Sequence, residues 1–140
     1  MWKPLSVKKV PMLIILHIGV LFINIELFLE LIGLFNDQVN SGQAAIHLLL
    51  TGGLGAVGIG IMTRVSLGHT GREIHADGWT SLAYISIIIG CLIRVIVPIF
   101  FDDYFDESIH TASGFWTLGF LVFFIRFFKI LTSPRYSKTV

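Results

Sequence analysis

The chain has 140 residues, 54% of them hydrophobic and 14% charged, with a mean hydropathy of +0.82. A water-soluble domain carries about a quarter charged residues, so much of this surface must face something other than water, and the length allows one domain rather than two. A net charge of +1, with no basic run interleaved with base-stacking aromatics, excludes a nucleic-acid binder.

The first apolar stretch runs from about Pro11 to Phe35. It is too long for a cleavable signal and lacks a small-residue cleavage site. It carries His17, Asn24, Glu26 and Glu30. At about 100° per residue His17 and Asn24 share a helix face, Glu26 lies opposite them, and Glu30 lies about 140° from His17. Such a helix is expected to be surrounded by protein or to lie against a partner subunit, with Glu30 able to reach the outer interface.

After the connection Asn36–Gly42, a second stretch covers roughly Gln43–Ser66. Gly52, Ala56 and Gly60 form a small-residue stripe that suits close helix packing. His47, Thr51, Gly55 and Gly58 lie on the neighbouring face, where a histidine above side-chain-free backbone leaves room for a flat group such as a porphyrin. The connection Leu67–Asp77 holds His69, Arg72 and His75. The third stretch, about Gly78–Phe101, contains Cys91, read as a small core residue, and Arg94, for which a pair with Glu26 is expected. Asp102–Asp106 leads to the fourth stretch, about Glu107–Leu131, with Asp106 or Ser108 as its cap and His110 near its start.

Each stretch supplies the ~20 residues that cross a hydrocarbon core. Each must be helical, because a lone strand in lipid leaves its backbone unpaired. Short links make neighbours antiparallel, so the expected fold is an all-α, up-down-up-down bundle of four transmembrane helices spanning residues 1–140 as a single domain. Lys3, Lys8, Lys9, Arg64, Arg72, Arg126, Lys129, Arg135 and Lys138 all fall on one side, and the other two connections carry acids without Lys or Arg. By the positive-inside rule both termini are cytoplasmic.

Helix rise sets which histidines could share a metal. His17 and His47 are expected on the order of 20 Å apart along the membrane normal. Two pairings stay open: His17 with His69 at the inner surface, and His47 with His110 at the outer. The inner pair needs the turn at Gly68-His69-Thr70-Gly71 to fold back toward the bundle. Solvation alone accounts best for His75 and reasonably for His110, and the positive-inside rule alone accounts equally well for Arg64 and Arg72.

Several strings resemble a known family. They are Leu16-His17-Ile18-Gly19, Ala45-Ile46-His47, and above all Met62-Thr63-Arg64-Val65-Ser66-Leu67-Gly68-His69-Thr70-Gly71-Arg72. The match continues through Leu92-Ile93-Arg94-Val95, Phe124-Ile125-Arg126 and Pro134-Arg135, about residues 14–135 in all. These resemble the NnrS family, whose typical members have about twelve spans, the last four of which this chain is similar to. The resemblance implies a multi-pass protein of a bacterial inner membrane, of haem- and copper-containing type, associated with denitrification and tolerance of nitric oxide. It carries His17, His47 and His69 over as metal ligands or their neighbours, with Arg64 and Arg72 beside haem propionates; His75 and His110 match no family position. The expectation is a haem-binding or copper-binding membrane protein with nitric oxide as a ligand, assembled as a homo-oligomer or within a larger membrane complex. The alternatives are a non-catalytic accessory subunit of a respiratory or transport complex, and a proton or small-solute pathway through Glu26, Glu30 and Arg94.

Overall fold

The computed structural model describes residues 10–35 and 42–135. Four helices in it are long and apolar enough to cross a membrane. Helix α1 is Pro11–Gly33, with proline at its first turn, where the missing N–H has no helical partner to lose. Its buried residues Met12, Ile15, Gly19, Phe22 and Glu26 recur every three or four positions and form one stripe. The opposite side exposes Val20, Leu27, Phe28 and Leu31. A helix apolar on both faces is what a lipid or protein surround requires.

Helix α2 has three consecutive parts: α-helical Gly42–His47, π-helical Leu48–Leu54 and α-helical Gly55–His69. It ends in a Schellman motif, with the Arg72 N–H donating to the Leu67 carbonyl at 3.0 Å and the Gly71 N–H to the Gly68 carbonyl at 3.2 Å. Gly71 takes φ 71°, which glycine adopts without a Cβ penalty. Helix α3 is Gly78–Phe100, capped by Asp77, whose carboxylate accepts from the Thr80 N–H at 2.9 Å and the Thr80 hydroxyl at 2.7 Å. A 3₁₀ turn, Asp102–Tyr104, leads into α4, Phe105–Thr132.

Helix α2 is the hub, packing against α1 on one side and against α3 and α4 on another. The Gly52/Ala56/Gly60 stripe is spent on these contacts. A Cβ at Gly52 would overlap Cys91 Sγ and lie 2.7 Å from the Phe22 ring, and one at Gly60 would lie 2.9 Å from Leu16. Ala56 is fully buried. Helices α3 and α4 form the tightest pair. A Cβ at Gly90 would lie 2.9 Å from the Ala112 carbonyl oxygen and 3.2 Å from the Trp116 backbone nitrogen. Two apolar clusters result. The larger joins Met12, Ile15, Ile59, Ile87 and Phe127, and the smaller joins Phe22, Leu48 and Cys91.

At each of the four stretches predicted from hydropathy stands a helix long and apolar enough to cross a membrane, with ends shifted by at most three residues. Three finer expectations are corrected. Neither Asp106 nor Ser108 caps α4; the 3₁₀ turn starts the helix at Phe105, leaving Asp106 and Glu107 in its first turn, where they favour the helix dipole. The Ser108 hydroxyl instead donates back to the Phe105 carbonyl. Glu26 and Arg94 do not pair: Glu26 is buried with its Oε2 unbonded, while the Arg94 guanidinium lies over the Phe105 ring. The chain reverses at Gly71, after His69 rather than before it, so His69 stays on the helix. The connection between α1 and α2, with Asn36 to Ser41, lies outside the described residues.

Candidate functional site

A cavity of about 450 Å³ lies between α2, α3 and α4. From α2 it takes His47 and Thr51, at the junction of the first α-helical part with the π-helical part. From α3 it takes Gly90 and Arg94. From α4 it takes Ile109, Ala112, Ser113, Trp116 and Thr117, spaced i, i+3, i+4, i+7, i+8 and therefore on one face. The π-helical part shapes this wall. A five-residue ladder widens the helix and displaces carbonyls from their usual partners. The Thr51 carbonyl accepts from the Trp116 indole N–H at 3.3 Å, and the Thr51 hydroxyl donates to the His47 carbonyl at 2.6 Å. Gly55 leaves space that Trp116 occupies: a Cβ there would lie 3.2 Å from Trp116 Nε1.

The remaining histidines are placed differently. His17 is on the exposed face of α1, its Nδ1 2.6 Å from the Leu13 carbonyl oxygen, and Asn24 on the same face donates to the Val20 carbonyl. His69 is exposed in the last turn of α2. Gly19 faces Val57 and Gly60 faces Leu16, so His17 stands level with residues 57–60 of α2. His69 is then roughly 13 Å or more further along the axis, and His47 roughly 15 Å back the other way. That rise keeps His17 apart from both His69 and His47. His110 is exposed on α4 and is not among the residues lining the cavity with His47. Among the described residues no group of three or more His, Cys, Asp or Glu is placed to hold a metal.

At the other end of the bundle a smaller pocket, about 260 Å³, is lined by Arg72, His75, Asp77 and Arg126 among others. Here the charges are answered. Arg126 Nε lies 2.7 Å from Asp77 Oδ2, and Arg72 donates to the Ile130 carbonyl at 3.3 Å. Burial pushes the Asp77 carboxyl up, but the Thr80 hydrogen bonds and the Arg126 contact outweigh it and hold the group below its ordinary value. Arg64 is exposed on α2.

The NnrS family model (NnrS protein) matches residues 1–135, nearly the whole chain. The chain belongs to the NnrS family. NnrS membership suggests a role in the nitric oxide response. No curated protein and no solved structure matches the chain. Within this NnrS protein, sequence reasoning singled out His47, Thr51 and Arg94 but missed Gly90 and the whole α4 wall, Ile109, Ala112, Ser113, Trp116 and Thr117.

Proposed function

We propose that this protein is a haem-binding or copper-binding member of the nitric oxide response, set in a bacterial inner membrane. One observation carries the choice of site: of the three histidines that match the family, His47 lines a cavity, whereas His17 and His69 are exposed on the helix surface. The donor set suits the group. A neutral imidazole serves haem iron and copper alike, and Ile109, Ala112 and Trp116 give an apolar wall beside it. Ferrous haem, when bound, supplies an iron centre that takes nitric oxide. The chain's own part is to orient His47 through the π-helical junction and to keep water from the wall formed by α4.

The test is haem and copper content, by absorbance and metal analysis, of the purified protein and of His47→Ala, His17→Ala and His69→Ala. The expected result is loss in His47→Ala with the other two near wild type. Loss in His17→Ala and His69→Ala alone would move the metal to the other end, and an empty wild-type protein would overturn the reading.

The orientation follows with it: up-down-up-down, with both termini and the Arg64–Asp77 segment cytoplasmic. The contacts of Arg126 with Asp77 and of Arg72 with Ile130 support this by holding the second connection and the end of α4 at one end of the bundle. With Cys91 replaced by alanine, cysteines at Asn40 and at the exposed Ile74 should label from opposite sides of sealed vesicles. Labelling of Ile74→Cys from the periplasmic side would reverse the assignment.

A second reading, an accessory subunit covered by another copy or a larger complex, draws on His17 and Asn24, two polar residues on the outward face of a span. Haem-free, copper-free protein that co-purifies with a fixed partner would favour it.

A further inference from the structure

Arg94 is a charge within a span that no acid answers among the described residues. Among the described residues the ion pair is Arg126 with Asp77, at the opposite end of the bundle. Arg94 instead has an aromatic contact, its guanidinium carbon 5.3 Å from the centroid of the Phe105 ring. A ring face offsets only part of what a desolvated cation loses. The cationic side chain lines the same cavity as His47.

Ser113 and Thr117 contribute hydroxyls to the cavity wall, the Thr51 hydroxyl donating to the His47 carbonyl, and among the described residues no Asp or Glu lines it. A guanidinium beside hydroxyls, without a carboxylate, is the chemistry of an oxyanion receptor: its planar fork matches a carboxylate or phosphate. The rest of the wall excludes a bare inorganic ion as the fitting occupant. Ile109, Ala112 and Trp116 are apolar, and about 450 Å³ is the size of a cavity for an organic ligand. Depth agrees, since Arg94 lies six residues before the end of α3, about 9 Å inside it by helix rise. A long side chain can meet an acidic group drawn down from the interface or one held within the bundle.

We propose that the cavity between α2, α3 and α4 is an oxyanion site, in which Arg94 takes the carboxylate or phosphate of an amphipathic molecule whose apolar part lies along Ile109, Ala112 and Trp116. The site does not depend on a metal at His47. Two sources of that acid fit, a phospholipid headgroup and a tetrapyrrole side chain, and they separate by experiment.

The full chain in dodecyl maltoside is heated with dioleoyl phosphatidate or dioleoylglycerol, and in a second arm with protoporphyrin or its dimethyl ester. Each pair differs only in the acid. The acid of at least one pair should raise the unfolding midpoint by about 5 °C over its neutral partner. Arg94→Gln should abolish that gain, and Arg94→Lys, a point charge without the fork, should keep part of it. A gain with phosphatidate alone identifies the headgroup as the source; a gain with the porphyrin diacid alone identifies the tetrapyrrole. Should Arg94→Gln fail to fold, Ser113→Ala with Thr117→Val reads the same loss in reduced form. Equal midpoints for acid and neutral partner in both arms, or a full gain retained in Arg94→Gln, would overturn the proposal. The phosphatidate arm contains neither metal nor porphyrin, so failure of the haem reading leaves it standing.

Discussion

Two arginines, Arg126 and Arg94, face opposite ends of the same helix pair and are treated in opposite ways. Arg126 lies 2.7 Å from Asp77, which also caps α3 through Thr80, so that one carboxylate ties a connection, a helix start and the end of α4 together. Arg94 meets an aromatic ring and a cavity. The first end is closed by the chain's own polar groups. The second is left with donors in excess. Where a fold answers its own charges it is building structure; where it leaves a cation facing a cavity, the answer has to come from elsewhere.

The contrast can be broken most severely at Gly90, which belongs to the cavity end and to the α3–α4 seam at once. A side chain there meets backbone atoms of Ala112 and Trp116 that cannot step aside. Gly90→Leu is expected to destabilise the protein by about 3 kcal/mol through overpacking and to close the cavity. Denaturant titration of the purified protein checks this, and a wild-type midpoint would mean that the two backbones do not approach so closely.

A smaller effect is expected at the closed end. Asp77→Ala removes the cap and the partner of Arg126 together and should cost about 1–2 kcal/mol. Asp77→Asn keeps an acceptor for Thr80 and loses only the ion pair, whose partners are 43% and 34% exposed; less than about 1 kcal/mol is expected. The pH dependence sharpens this further. Because the Asp77 carboxyl is held below its ordinary value of 3.8 in the folded chain, its contribution is complete above that value and is lost as the pH falls through the lower, folded value. The gap between wild type and Asp77→Asn should therefore narrow as the pH falls below 3.8, and a gap that widens in acid would show the pair to be unimportant.

The sequence made the four spans legible because hydropathy is local: each stretch announces itself whatever it packs against. The small-residue stripe of α2 was legible as a close helix contact, since small residues every four positions have few other uses. What stayed hidden depended on neighbours. The expected Glu26–Arg94 pair assumed that α1 lies beside α3 at that level, whereas α1 packs principally on α2. His69 was expected in a fold-back because two glycines flank it, but only Gly71 takes a positive φ, and the helix runs through His69 first. His47 was expected to stand over the glycines of its own helix; the cavity it lines is bounded instead by α3 and α4, and Trp116 takes the space at Gly55. The hydroxyls facing it from α4, some seventy positions away, had no local signature strong enough to pair them with it. The π-helical part of α2 left no trace in the pattern, because Leu48–Leu54 is as apolar as any regular turn.

That wide part of α2 acts as a phase adjuster. In a regular helix each residue advances about 100° around the axis, so the direction of every side chain is fixed by its distance from every other. Seven residues wound more loosely change the count. They let the segment beginning at Gly55 keep its small residues against α1 while the segment ending at His47 turns toward α4. The aim of His47 is thus set by chain length between two anchored segments as much as by its own contacts. One residue more or fewer in that interval would swing the imidazole by about a quarter turn relative to Gly60.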